Sequence, residues 1–152
     1  MNKHSELSYV IVDDDEDDRM LMRIALEQAQ RTLPVLEFAD GQELIDYLSR
    51  DADAQPDEDM HWLVVMDVNM PRMNGLDALQ TLRQNPYWAK LPMLMLSTAD
   101  DPTTRQVSLD SGANGYLVKP SSIQGYGPLF DQHFAPWLAI DSAQWPDYRS
   151  IS

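Results

Sequence analysis

Tyr9-Val10-Ile11-Val12-Asp13-Asp14-Asp15-Glu16-Asp17-Asp18 is the stretch on which the fold of this chain turns. An apolar run rich in β-branched side chains leads straight into six consecutive acids. Continuous apolar character, without polar alternation, marks a strand covered on both faces. Acids crowded at the carboxyl end of such a strand repel one another, and a bound cation is the simplest way to offset that repulsion. A second reading makes Asp15 to Asp18 the cap and first turn of the next helix, favoured by its dipole. Both readings stand for Asp17 and Asp18, while Asp13 and Asp14 go with the cation.

Working outward, the same unit recurs. Met20, Leu21, Ile24, Ala25 and Leu26 fall at helical spacing and predict a helix over roughly 16–30. Val35-Leu36-Glu37-Phe38 is a short strand, Asp40-Gly41 a turn, and Leu44, Ile45 and Leu48 mark a second helix. Trp62 to Met66 is a buried strand ending at Asp67. Met70-Pro71-Arg72-Met73-Asn74-Gly75 is a loop before a helix marked by Leu76, Leu79 and Leu82, which Asn85-Pro86 breaks. Met93 to Leu96 is a strand ending at Ser97. A helix over about 102–111 stops at Gly112. Tyr116-Leu117-Val118 is the fifth strand, ending at Lys119-Pro120, and a less regular helical segment follows. Five rounds of strand then helix, with apolar strands, predict a doubly wound α/β domain on a parallel sheet. Ligands in such sheets bind at the carboxyl ends of the strands. The residues there are Asp13 and Asp14, Asp67, Ser97 and Lys119, all polar.

Composition sets the outer limits. The 152 residues carry a formal net charge of -14 and are 43% apolar. That suits one domain with a real core rather than a disordered chain. The acid excess argues against nucleic acid and against anionic membrane surfaces as partners. The absence of cysteine excludes disulfides, thiolate metal sites and cysteine nucleophiles. No apolar run approaches the roughly 20 residues of a membrane span, and Met1 to Ser8 lacks a secretory pattern, so a cytoplasmic location is expected. A second acidic cluster, Asp51, Asp53, Asp57, Glu58 and Asp59, lacks periodicity, contains Pro56 and reads as a solvated loop. His4, His61 and His133 share no motif spacing and read as surface or boundary residues.

Three carboxylates at one sheet edge form a hard oxygen site suited to Mg²⁺. A carboxylate can also act as a nucleophile toward phosphorus. Mg²⁺, the Ser97 hydroxyl and the Lys119 ammonium would then meet the charge spread over the oxygens of the transferred group.

These residues resemble the receiver domain of two-component response regulators. The matching segments come in order: Val12-Asp13-Asp14-Asp15; Met66-Asp67-Val68-Asn69-Met70-Pro71 with Gly75; Ser97-Thr98-Ala99; and Gly112-Ala113 with Gly115-Tyr116-Leu117-Val118-Lys119-Pro120. The resemblance covers about residues 8–120. Asn69 to Gly75, Asn85-Pro86 before Leu91-Pro92, and Lys119-Pro120-Ser121-Ser122 look most like the small single-domain receivers associated with bacterial phytochromes. The resemblance implies a flavodoxin-like fold with strand order 2-1-3-4-5. It implies Asp67 as phosphoacceptor, Asp14 as a direct Mg²⁺ ligand, Asp13 as a ligand through water, and the Asn69 backbone carbonyl as the remaining protein ligand. Ser97, where the family more often has threonine, and Lys119 would bind the phosphoryl group. Tyr116 would be the aromatic whose rotamer follows Ser97, and the Lys119–Pro120 bond would be cis.

Asp13-x-Asp15 also resembles the first motif of haloacid-dehalogenase-type phosphatases, with Asp13 as nucleophile. That reading fails on order, because the later acids Asp131, Asp141 and Asp147 supply no paired metal site and Asp67 is left without a role. A degenerate receiver acting only as a binding module fits poorly with a complete set of site residues. Only 32 residues follow Pro120, which suggests a receiver over 1–140 and a tail over 141–152 rather than an output domain. The expected function is a stand-alone, non-enzymatic response regulator. It would be phosphorylated by a sensor histidine kinase, with a bacteriophytochrome suggested by the sub-family likeness, or by a histidine phosphotransfer protein. The C-terminal stretch holds six of the 13 aromatic residues: Tyr126, Phe130, Phe134, Trp137, Trp145 and Tyr148. They would cap the last face of the sheet, or some of them, with the tail, would form a homodimer or partner surface with the fourth helix, fifth strand and fifth helix.

Overall fold

The computed structural model describes residues 7–28, 34–49, 61–70, 73–86, 88–89 and 91–134. The elements are β1 (Leu7–Val12), α1 (Glu16–Gln28), β2 (Val35–Phe38), α2 (Gly41–Ser49), β3 (His61–Asp67), α3 (Gly75–Gln84), β4 (Met93–Ser97), α4 (Pro102–Asp110), β5 (Gly115–Val118), a 3-10 turn (Ile123–Gly125) and α5 (Tyr126–His133). The strands form one parallel sheet in the order β2-β1-β3-β4-β5. This is the doubly wound architecture expected from the alternation of strand and helix. The 51–60 loop, the 141–152 tail and Trp137, Trp145 and Tyr148 lie outside the described residues.

The apolar strands are explained by the two layers they meet. Successive side chains of a strand point to opposite faces. Val10, Val12, Val64, Met66, Met93 and Met95 pack with Leu44, Ala78, Leu79 and Leu82 under α2 and α3. Tyr9, Ile11, Leu63, Val65, Leu94 and Leu96 pack with Met22, Leu26, Phe130 and Phe134 under α1 and α5. Both faces of the central strands are covered, so both sets of alternate positions there are apolar, while Glu37 on the edge strand β2 is half-buried and paired with Arg19. Tyr126, Phe130 and Phe134 are buried in that second layer as caps of the sheet: Phe130 and Phe134 meet the Tyr9 ring at tilted angles, and Tyr126 packs on Phe130. The fourth helix is the exception. Ser108 is its one buried residue, and Val107 and Leu109 are exposed.

Several sequence boundaries shift. β1 starts two residues earlier, at Leu7, because it pairs with β3 from His61 onward. Asp40-Gly41 is a helix start rather than a free turn: Asp40 Oδ1 accepts from the Glu43 N–H at 2.9 Å, and Glu43 Oε1 accepts from the Ala39 N–H at 2.9 Å. This reciprocal pairing satisfies donors that a helix start otherwise leaves open. Gly112 adopts φ +106, the left-handed stop expected after α4. The Lys119–Pro120 bond, expected to be cis, is trans. Trans is the lower-energy isomer even before proline, and the Lys119 N–H is held in the strand ladder by the Ser97 carbonyl at 2.8 Å.

Gly75 fixes how α3 meets the sheet. A Cβ there would lie 2.2 Å from the Asp67 carbonyl oxygen and 2.8 Å from Met95 Cε. The helix start can therefore close onto the end of β3, where the Gly75 N–H donates to the Val68 carbonyl at 2.8 Å. Gly75→Ala is expected to lower unfolding free energy by about 1–3 kcal/mol through overpacking. Urea denaturation measures this, and an unchanged midpoint would refute the close approach.

Candidate functional site

Parallel pairing brings the polar strand ends to one edge. Val12 lies opposite Met66, so Asp13 and Asp67 leave the sheet side by side. The backbone ladder continues past the strands. The Asp13 N–H donates to the Phe38 carbonyl at 3.1 Å, Val68 N–H to Leu96 at 2.8 Å, and Lys119 N–H to Ser97 at 2.8 Å. The backbones of Asp13, Asp67, Ser97 and Lys119 are thus held in register by the neighbouring strands. Asp13, Asp14 and Asp67 each offer a carboxylate oxygen, and these oxygens all lie within 4.8 Å of one another. Asp13 and Asp67 are buried and Asp14 is exposed. An all-oxygen set open on one side suits a hard divalent cation such as Mg²⁺, which keeps waters on its free positions. Asn69 is exposed two residues beyond Asp67, and its N–H donates to Asp67 Oδ1 at 3.4 Å.

Lys119 reaches into this group. Its Nζ lies 2.9 Å from Asp13 Oδ2, 2.8 Å from Asp18 Oδ2 and 3.7 Å from Asp67 Oδ2. Burial opposes the charge on Lys119, yet the hydrogen bonds to Asp18 and Asp13 push its pKa above the usual lysine range. The Asp67 carboxyl is pushed up to about 6, by burial first and by the charges of Asp13 and Asp14, against the pull of Lys119. Burial also raises Asp13, against its bonds from the Asp15 N–H and Lys119.

Ser97 is buried, and its Oγ accepts from the Ala99 N–H at 3.3 Å, which leaves its own hydrogen to donate. Tyr116 is buried on β5, with its hydroxyl donating to the Ala99 carbonyl at 2.9 Å. Ser97 and Tyr116 therefore hold the same residue of the β4–α4 loop from two sides. Arg105 adds a further clamp that the sequence did not signal. Its guanidinium lies 4.9 Å from the Tyr116 ring centre, donates to the Tyr116 carbonyl at 3.3 Å, and pairs with Asp100 at 3.0 Å.

Two residues of the site edge escaped the sequence reading. Asp18 is a partner of Lys119 as well as a first-turn residue of α1. Helical side chains lean toward the N-terminus of their helix, so an acid in that turn leans toward the site, and this was the available signal. Arg19 donates to the Asp13 carbonyl through Nη1 and to Glu37 Oε1 at 3.1 Å, tying the acidic loop to β2.

The model of the response regulator receiver domain matches residues 9–125. The chain belongs to the response regulator receiver family. Among curated relatives, the probable chemotaxis protein CheY of Rhizobium etli is 31% identical over 124 residues, covering 82% of this chain and 89% of the relative. Other curated relatives are longer, and the chain spans 9%, 42% and 28% of three of them. Among solved structures, a response regulator receiver domain from Rhodospirillum rubrum superposes with a TM-score of 0.75 at 27% identity, covering 92% of this chain and 97% of the other. A response regulator in red light signaling of R. palustris gives a TM-score of 0.73 at 26% identity, with 91% and 97% covered. Receiver family members are signalling proteins, and the sheet order found here is the flavodoxin-like order of that fold. Among the described residues, no helix of this receiver is long and apolar enough to cross a membrane.

Proposed function

We propose that this receiver accepts a phosphoryl group on Asp67 from the phosphohistidine of a sensor kinase or histidine phosphotransfer protein, and signals by changing its protein contacts. The observation that carries the reading is the buried Asp67 carboxylate grouped with those of Asp13 and Asp14, with the Lys119 ammonium 3.7 Å away. Asp67 Oδ attacks phosphorus, an O–P bond forms and the donor's N–P bond breaks. The Lys119 ammonium and the Ser97 hydroxyl donate to phosphoryl oxygens, which supplies the charge stabilisation that phosphoryl transfer mainly requires. Asp13, Asp14 and Asp67, with the Asn69 backbone carbonyl, would hold Mg²⁺. When bound, the ion neutralises the carboxylates and the charge on a phosphoryl oxygen.

Ser97 and Tyr116 share Ala99, so drawing Ser97 toward a phosphoryl group moves the loop that leads into α4. That is a local charge event biasing a two-state element. The output would be read at the face of α4, β5 and α5 by a partner or a second copy of the chain. The likeness to a red light signaling regulator supports a phytochrome-type kinase as donor, in the cytoplasm. The test is incubation with a small phosphodonor and Mg²⁺, followed by intact mass. The expected result is one base-labile phosphoryl adduct. No adduct would leave only the binding-module reading, and an adduct mapped to Asp13 would favour the phosphatase reading.

A further inference from the structure

We infer that Asp18 is a positioning residue for phosphoryl transfer, holding the Lys119 ammonium back from Asp67 so that the carboxylate stays free to attack. This rests on the reading of Asp67 as phosphoacceptor. An ammonium has three hydrogens to donate. Two are committed, to Asp13 Oδ2 at 2.9 Å and to Asp18 Oδ2 at 2.8 Å. The third partner in reach is Asp67 Oδ2, at 3.7 Å, beyond hydrogen-bond length. Lys119 therefore stands beside the nucleophile without capping it, at the separation a phosphoryl oxygen would bridge.

Asp13 alone does not secure that placement. It is also one of the three carboxylates grouped for a cation, whereas Asp18 lies outside that group. A cation drawing on Asp13 would loosen one of the two tethers, and Asp18 would keep the other. The Asp18 side chain is partly exposed, at 26%, while Lys119 is at 10%, so the tether is the more solvent-exposed of the two. Its position in the first turn of α1 gives it a fixed backbone and a favourable helix dipole. Without Asp18, the buried ammonium has one strong partner left, and the charge of Asp67 draws it into direct contact with the nucleophile.

The test compares wild type, Asp18→Ala and Asp18→Asn, with Mg²⁺ saturating. Two quantities are followed: phosphoryl uptake from a small donor by intact mass, and the Lys119 ammonium by nitrogen-15 NMR. An ammonium held by two carboxylates exchanges its hydrogens slowly enough to be seen. Asp18→Ala is expected to lose the protected Lys119 signal and to slow uptake at saturating donor about tenfold. Asp18→Asn keeps an acceptor oxygen and is expected to recover most of both. Asp18→Ala with wild-type uptake, or Asp18→Asn as slow as Asp18→Ala, overturns the positioning role while leaving the phosphoacceptor in place. A wild type that takes up no phosphoryl group overturns both.

Discussion

Asp67→Asn is expected to show no phosphoryl adduct under conditions that label the wild type fully. The amide oxygen is too weak a nucleophile toward phosphorus, and the neighbouring carboxylates do not replace it. Asp13 is tied to the Asp15 N–H at 2.9 Å and to Lys119, and Asp14 is exposed to solvent. Labelling should also follow the ionisation of Asp67. Its pKa of about 6 means uptake falls as pH drops through about 6, because the protonated carboxyl does not attack. A binding cation favours the ionised form and moves that midpoint down, so the midpoint should fall as Mg²⁺ is raised. Intact mass against pH at two Mg²⁺ concentrations measures this. An adduct retained in Asp67→Asn would sink the assignment.

Lys119→Met is expected to cost about 3–5 kcal/mol of stability at pH 8 without divalent cation, the usual cost of removing one partner of a buried ion pair. Methionine fills much of the same volume, so the loss reports charge rather than a cavity. Asp13, Asp18 and Asp67 would then face one another with no compensating ammonium. The pH dependence has a definite sign. A carboxyl whose folded pKa lies above its unfolded value favours the folded state when protonated, and that advantage is lost as pH rises through the folded pKa. For Asp67 in the wild type the window runs from 3.8 to about 6. The deficit of Lys119→Met should therefore be large at pH 8 and shrink toward pH 5. Added Mg²⁺ should restore part of it, by binding the folded state in place of the lost charge. Guanidinium denaturation at three pH values decides the matter, and equal stability at pH 8 would contradict the burial of these charges.

Most of the fold was readable because the signal was periodic. Apolar strands without alternation mean two covered faces, and the helical spacing of Leu76, Leu79 and Leu82 gave α3 directly. The strand-end residues were readable because a polar side chain at the end of a buried strand has few structural reasons to be there. Pairwise geometry was harder to see. Asp18 looked interchangeable with Asp17, because a run of like charges has no internal contrast. One faces Lys119 and the other does not, a distinction set by the helix turn. Arg105 lay in an ordinary polar helix, and only the folding of α4 against β5 brings it over Tyr116. The cis bond expected from resemblance failed because a family habit is not a force acting on Lys119–Pro120.

The sparse packing of α4 has an energetic meaning of its own. α1, α3 and α5 are each anchored by two or more buried apolar side chains, and α2 by Leu44 with Ile45, Tyr47 and Leu48 packed against the core, so displacing any of them opens the core. The fourth has only Ser108 buried and leaves Val107 and Leu109 in water. Its opening free energy should therefore fall well below that of the whole domain, a separate cooperative unit at the rim of a rigid body. Amide hydrogens of α4 should exchange before those of α1 and α3, which hydrogen–deuterium exchange resolves by segment. A helix that loosens at little cost to the rest would let the proposed charge on Asp67 reshape the outer surface while the sheet stays as it is.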